Sequence, residues 1–249
     1  MSGGEAPARE AAGVENADVE TSSDGYARRF AGPVGEFFLD VQARSTLELL
    51  APWRGGTVLD VGGGHGQLTG PLVGAGFDVT VYGSEAVCGE RIRPFTEASK
   101  ARFCHGSLLA MPFGDRSFDV VVSYRLLPHV ERWKHLVAEM TRVARAVVLV
   151  DYPTKRSVNA VADAFFTLKK GIEKNTRPFT VFRDEDVTRA FSVNGWSPTA
   201  RRPQFFFPMA LHRGLGSRRI SSALEGAAST LGLVRLLGSP VILRLERRG

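Results

Sequence analysis

Val58-Leu-Asp-Val-Gly-Gly-Gly-His-Gly-Gln-Leu-Thr69 is the stretch that decides how this chain folds. Residues 57–61 read Thr-Val-Leu-Asp-Val, β-branched or apolar except for Asp60, as in a short strand covered on both faces. Gly62, Gly63, Gly64 and Gly66 then compose a tight turn, and helical spacing resumes over 67–74. Glycine tolerates positive φ and, having no Cβ, lets a ligand approach the backbone. Strand, glycine turn and helix in this order open a parallel α/β sheet, in which a crevice beyond the strand's carboxyl end receives a nucleotide-like group. By itself the turn also suits a dinucleotide site or a plain strand–helix connection.

Working outward, strand and helix signals alternate. Strands are expected at 78–82, 101–105, 118–124 and 146–151, with helices at 84–98 (interrupted at Pro94) and 132–143. Upstream, apolar spacing over 37–50 predicts a helix closed by Pro52 and Gly55–Gly56. Alternation of this kind implies a parallel sheet with helices on both faces. Beyond residue 151 the pattern loosens: helices over 158–170, 183–194 and 221–237, an extended segment over 202–211 containing Phe205, Phe206 and Phe207, and a last strand over 240–247.

The 249 residues suit one domain of ordinary composition, 43% hydrophobic and 23% charged. No apolar run approaches the roughly 18–20 residues that span a bilayer, and the N-terminus lacks the basic start and apolar stretch of a signal peptide, which points to the cytoplasm. Cys88 and Cys104 stand in no metal-ligand spacing, so reduced thiols and no metal are expected. Charge is uneven: residues 1–24 carry −5 of a net +6, leaving +11 on the remainder. That first stretch, rich in Gly, Ala and Ser and poor in large apolar residues, reads as a disordered acidic tail. The domain is then 25–249, with an N-terminal lid helix at about 25–50 and an insertion between the last two strands at about 212–238.

Three segments in order and at constant spacing carry more weight than the loop alone: VLDVGGGHG from Val58, LLAMPFGDRSFDVVVSYRLLPHV from Leu108, and WKHLVAEMTRVAR from Trp133 leading to VVLVDYP. Over about residues 26–196 the chain resembles the class I S-adenosylmethionine-dependent methyltransferases, in particular the small-molecule group that includes the ubiquinone-pathway enzymes. The resemblance implies a Rossmann-like, doubly wound, seven-stranded sheet, mostly parallel with an antiparallel C-terminal strand. It implies S-adenosyl-L-methionine as cofactor, with Asp60, Gly62 and Gly64 facing its methionine portion. Two positions depart from the family. Where an acidic residue grips the ribose, this chain has Gly83, with Glu85 two residues on; where an Asp meets the adenine, it has Ser107, followed by the Leu108 amide. Tyr124, at the end of the fourth strand, completes the expected cofactor set.

Methyl transfer needs alignment and dryness more than bond-making by the protein, and an oxygen nucleophile also needs a base. His129, which matches a histidine common in the family, is the candidate base, since histidine titrates near neutrality; a helix-start packing role is its plain alternative. Asp151 follows the fifth strand and would assist the base or bind a polar acceptor, while Tyr26 on the lid would close over the site. The function expected is O-methylation of a small acceptor, hydrophobic or anionic. The alternatives are a non-catalytic scaffold on the same fold, suggested by Gly83 and Ser107, and a nucleic-acid methyltransferase, suggested by the basic body. The last lacks an Asn/Asp-Pro-Pro-aromatic signature after strand four, so no nucleic-acid partner is expected. Arg213, Arg218, Arg219 and Arg235 beside Ile220, Leu224, Leu231 and Leu236 also suit a membrane surface, though packing on the sheet explains them more simply.

Overall fold

The computed structural model describes residues 15–157 and 179–248. Seven strands form one sheet in the order β3-β2-β1-β4-β5-β7-β6. β1 (Thr57–Val61) lies at the centre, paired in parallel with β2 (Asp78–Gly83) and β4 (Phe118–Ser123). β3 (Ala101–His105) and β5 (Ala144–Tyr152) extend the parallel run on either side. β7 (Ser239–Arg247) inserts antiparallel between β5 and β6 (Trp196–Phe205). The order reverses between β1 and β4, which leaves the crevice of a doubly wound sheet at their carboxyl ends.

The central strands are Val/Leu-rich because both faces are covered, and two apolar layers form. One gathers Leu59, Val61, Val121 and Val148 with Leu136, Val137 and Met140. The other gathers Val58, Val79, Val120 and Leu149 with Leu50 and Leu72. α3 (Gly32–Leu49) precedes the first strand, and α4 (Thr69–Gly74), α5 (Arg93–Glu97), α6 (Trp133–Val143) and α7 (Asp184–Ser192) follow β1, β2, β4 and β5. Before them stand α1 (Ala17–Thr21) and α2 (Asp24–Ala27). The β6–β7 insertion holds α8 (Met209–Leu215), α9 (Arg218–Thr230) and α10 (Leu233–Leu237). Among the described residues no helix is long and apolar enough to cross a membrane.

Several expectations are corrected. Residues 15–24 do not form a disordered tail: Ala17, Asp18, Thr21 and Ser22 are buried. Composition misleads there because small side chains pack closely and are held by polar contacts to backbone, not by apolar area. Residues 1–14 and the helix expected at 158–170 lie outside the described residues. The 84–98 run becomes a 3-10 stretch, Ala86–Ile92, followed by α5, and Pro94 opens that helix instead of interrupting it. The 221–237 helix divides at Gly232, whose φ is +75°. The extended segment starts earlier than expected, because Trp196 is fully buried and pairs with Arg247 at the sheet edge.

Candidate active site

The turn after β1 is folded as its glycines require. Gly62 has φ +73°, and a Cβ there would lie 2.7 Å from Leu126 Cδ2. Asp60, two residues before Gly62, is fully buried, and neither carboxylate oxygen has a hydrogen-bond partner among the described residues. Burial pushes its pKa up to about 7. A buried carboxylate with no donor is costly, and a cationic N–H group placed against it would relieve that cost. His65 is also buried; its Nδ1 accepts from the Gln67 amide at 3.2 Å and its Nε2 is unpartnered. Burial and then Arg125 depress its pKa to about 3, so the imidazole is neutral.

At the end of β2 the environment explains Gly83. A Cβ at this position would sit 2.6 Å from Cys88 Cβ and 3.3 Å from Asp18 Oδ2, so no acidic side chain fits. Glu85 is exposed and its Oε1 accepts from Asn16 Nδ2 at 3.1 Å, at the rim of the crevice. Ser107 is exposed, its hydroxyl turned to the Leu109 amide, whereas Leu108 is fully buried. Tyr124 belongs to the opposite layer: it is fully buried with its hydroxyl 2.8 Å from Thr46 Oγ1 on α3. It packs in the apolar layer of Val58, Val120 and Leu149.

Tyr26, His129 and Asp151 line one cavity of about 340 Å³. Phe38, Phe179, Phe205 and Phe207 give it apolar walls, and Arg125 lies on the same lining. His129 ends a 3-10 turn, Leu127–His129, and its ring is 5.4 Å from that of Phe179. Asp151 Oδ1 accepts from the Arg125 amide at 2.6 Å and Oδ2 accepts from Gln42 Nε2 at 3.1 Å. Burial raises the Asp151 pKa to about 6, against the pull of Arg125 and Gln42. Burial likewise raises that of Tyr26, which keeps the phenol a hydrogen-bond donor.

Arg125 joins the two halves of the site. Its guanidinium lies over the Phe30 ring at 3.9 Å and donates to Gln42 Oε1 at 2.8 Å and to Gln67 Oε1, one residue past the glycine turn. Arg125, Gln42 and Gln67 are absent from the sequence-based site. For Gln42 a signal existed: a polar residue four after Phe38 and four before Thr46, on the buried face of α3.

A family model described as a methyltransferase domain matches residues 59–147. A demethylmenaquinone methyltransferase from Renibacterium salmoninarum is 36% identical over 200 residues, covering 72% of this chain and 82% of that protein. The chain belongs to the class I S-adenosylmethionine-dependent methyltransferases. An uncharacterized methyltransferase from Mycobacterium avium (strain 104) is 40% identical over 103 residues, so the match spans 37% of this chain and only 40% of that relative. The crystal structure of magnesium protoporphyrin IX methyltransferase from Synechocystis PCC 6803 with bound S-adenosylhomocysteine superimposes with a TM-score of 0.64 at 17% identity. It covers 92% of this chain and 96% of that one, a likeness of fold. The cofactor of this methyltransferase family is S-adenosylmethionine. The chemistry of Asp60 fits the cofactor's methionine half: two buried carboxylate oxygens without a partner among the described residues suit an ammonium group. At Gly83, where the family's ribose-binding residue would stand, the Asp18 carboxylate of α1 packs against the backbone.

Proposed function

We propose that this methyltransferase transfers a methyl group from S-adenosylmethionine to an oxygen of a small, largely apolar acceptor. One observation carries the reading: the candidate base His129, the Tyr26 phenol and the Asp151 carboxylate line a single aromatic-walled cavity, and Arg125 bridges that cavity to the glycine turn. The bound cofactor supplies a sulfonium-activated methyl group, so the chain's own work is alignment, water exclusion and proton handling. His129 would take the proton of the acceptor hydroxyl as that oxygen received the methyl group, the cofactor's sulfonium being the leaving group it would supply. Tyr26, protonated and on the cavity lining, would donate a hydrogen bond to the acceptor. Both Asp151 oxygens are occupied by Arg125 and Gln42, which makes it a positioning residue for Arg125 and not a second base.

The test is turnover of a panel of aromatic and quinol-type hydroxyl compounds by the purified chain, read as S-adenosylhomocysteine release. His129→Ala should lower kcat by about 100-fold or more, the usual size of a general-base contribution, with cofactor affinity unchanged. An equal loss of cofactor binding would instead make His129 a packing residue. A binding-only role on the same fold has one observation in its favour, the covering of the crevice by residues 15–23. Cofactor titration separates the two.

A further inference from the structure

Arg125 is held so that its charge is only half answered. Its φ is +58°, a left-handed backbone that side-chain-bearing residues rarely adopt, and the Asp151 carboxylate fixes it through the Arg125 amide. The guanidinium is thereby aimed between the glycine turn and the cavity. Its two hydrogen-bond acceptors, the Gln42 and Gln67 side-chain oxygens, are neutral amides, and its third neighbour is the Phe30 face. Among the described residues no carboxylate forms an ion pair with it. Burial lowers its pKa although Asp151 and Tyr26 act in the opposite sense, and the Asp151 carboxylate is bonded to the Arg125 amide and not to its guanidinium. A desolvated cation normally has an anionic partner, and here the open direction is the cavity.

We infer that Arg125 selects the acceptor by seating an acidic oxygen (carboxylate, enol or phenol) carried on an otherwise apolar ring. This rests on the methyl-transfer reading and deepens it. The guanidinium would stabilise the oxygen's ionised form and so make it a better nucleophile for the same displacement, with any proton passing to His129.

Three ring-matched probes separate the oxygen classes: 1-naphthoate, 1-naphthol and the neutral alcohol 1-naphthylmethanol, each titrated calorimetrically into the full chain saturated with S-adenosylhomocysteine. The wild type should bind naphthoate or naphthol about tenfold or more tighter than naphthylmethanol, as one charged hydrogen bond provides. Arg125→Gln should erase that preference with naphthylmethanol binding unchanged. Arg125→Asn is the companion variant, since asparagine tolerates the left-handed backbone, and thermal unfolding of both checks that the fold survives. A preference that persists in both variants, or no preference in the wild type, overturns the assignment while leaving methyl transfer standing. Failure of the wild type to bind S-adenosylhomocysteine at all would sink the function reading first.

Independently of Arg125, residues 15–23 lie across the cofactor crevice itself. Asp18 Oδ2 accepts from the Ser84 amide at 2.7 Å, Glu15 Oε1 accepts from the Arg132 amide at 3.0 Å, and Ala17 is buried in the same apolar layer as Tyr82, Leu108 and Leu126. A Cβ on Gly64 would meet Ser22 Oγ at 2.3 Å. The turn, Asp60 and Leu108 are all buried by protein. The seam is poorly satisfied: among the described residues Ser84 Oγ and both Asp60 oxygens are buried without partners, and Asp18 Oδ1 and Ser22 Oγ have no nitrogen or oxygen partner and only the Cys88 thiol beside them. The geometry points to a strap that the cofactor displaces, with Asp18 competing for the Ser84 amide.

Calorimetric titration of S-adenosylhomocysteine into the full chain, Asp18→Ala and Ala17→Arg tests it. Both variants weaken the strap by different means, so affinity should rise about tenfold, the worth of one or two buried contacts. In the unmodified chain, amide exchange over residues 17–22 should quicken on ligand addition. Unchanged affinity in both variants, or weaker binding in Asp18→Ala, would overturn the strap, the latter making Asp18 part of the bound site. No binding by any of the three chains would overturn the strap together with the cofactor reading.

Discussion

Asp60 and Gly83 divide the cofactor crevice between a polar group awaiting its partner and a position where none fits. Since burial lifts the Asp60 pKa from 3.8 to about 7, the folded chain holds this proton more tightly than the unfolded one. Ionised Asp60 therefore opposes folding: its contribution is neutral below about pH 4, turns increasingly unfavourable as pH rises, and levels off above about pH 7. Asp60→Asn should accordingly stabilise the ligand-free protein at pH 8 by as much as a few kcal/mol, with no gain at pH 4. The same variant should bind S-adenosylhomocysteine at least tenfold more weakly, because an amide cannot answer an ammonium group. Urea unfolding at the two pH values and calorimetry at pH 8 check both. Equal stability of variant and wild type at pH 8 would show that Asp60 is not desolvated. For the wild type, affinity should climb between pH 6 and 8 as the carboxylate ionises. These roles were legible in sequence for Asp60, which precedes the glycine turn. The reason Gly83 must be glycine was not, because Cys88 Cβ approaches it through folding of the intervening 3-10 stretch.

At the scale of elements, the β6–β7 insertion helps to wall the cavity of Tyr26, His129 and Asp151 through a clasp. Glu225 on α9 accepts from the Phe206 and Phe207 amides at 2.9 and 3.0 Å and sits 2.9 Å from His212 Nε2 on α8. His212 packs among Phe37, Phe38 and Phe207. Glu225→Ala leaves two backbone donors and a buried imidazole unsatisfied, and should destabilise the chain by about 2–4 kcal/mol, seen as a lower urea midpoint. Since Phe207, Pro208 and Met209 line the cavity, acceptor KM should rise more than kcat falls. No change in the midpoint would mean that the clasp is replaced by water. The helix over 221–237 could be read from sequence, but not its division at Gly232, nor α8 at Met209–Leu215, where an extended segment was expected to reach 211, nor the clasp. A glutamate on an amphipathic helix looks solvent-facing until the strand end it bonds is known. Residues 15–24 teach the converse, since small side chains that bury little area still order when backbone amides receive them.

For the whole molecule, a cofactor that joins the β1, β2 and β4 ends should stabilise the entire sheet by mass action. With S-adenosylhomocysteine at 100 times its Kd, the gain is about 2.7 kcal/mol, a rise in Tm of roughly 5–10 °C for a chain of this size. Differential scanning calorimetry with and without the ligand reads this directly. No shift would mean that the crevice stays closed. What the sequence by itself determined is the parallel β1–β5 core, the glycine turn, the family and the placement of His129 beyond its strand; Asp151, expected after the fifth strand, lies within β5 and pairs with Ile242. Those features are written in local periodicity, in glycine's backbone freedom and in the rule that parallel strands present their carboxyl ends on one edge. What only the tertiary structure decided is which side chains meet across that edge. Tyr124 reaches Thr46, Asp151 reaches Gln42 and Asp18 reaches Ser84 over separations of 78, 109 and 66 residues. No period or propensity encodes such pairings, because they depend on how helices and N-terminal segment settle on the finished sheet.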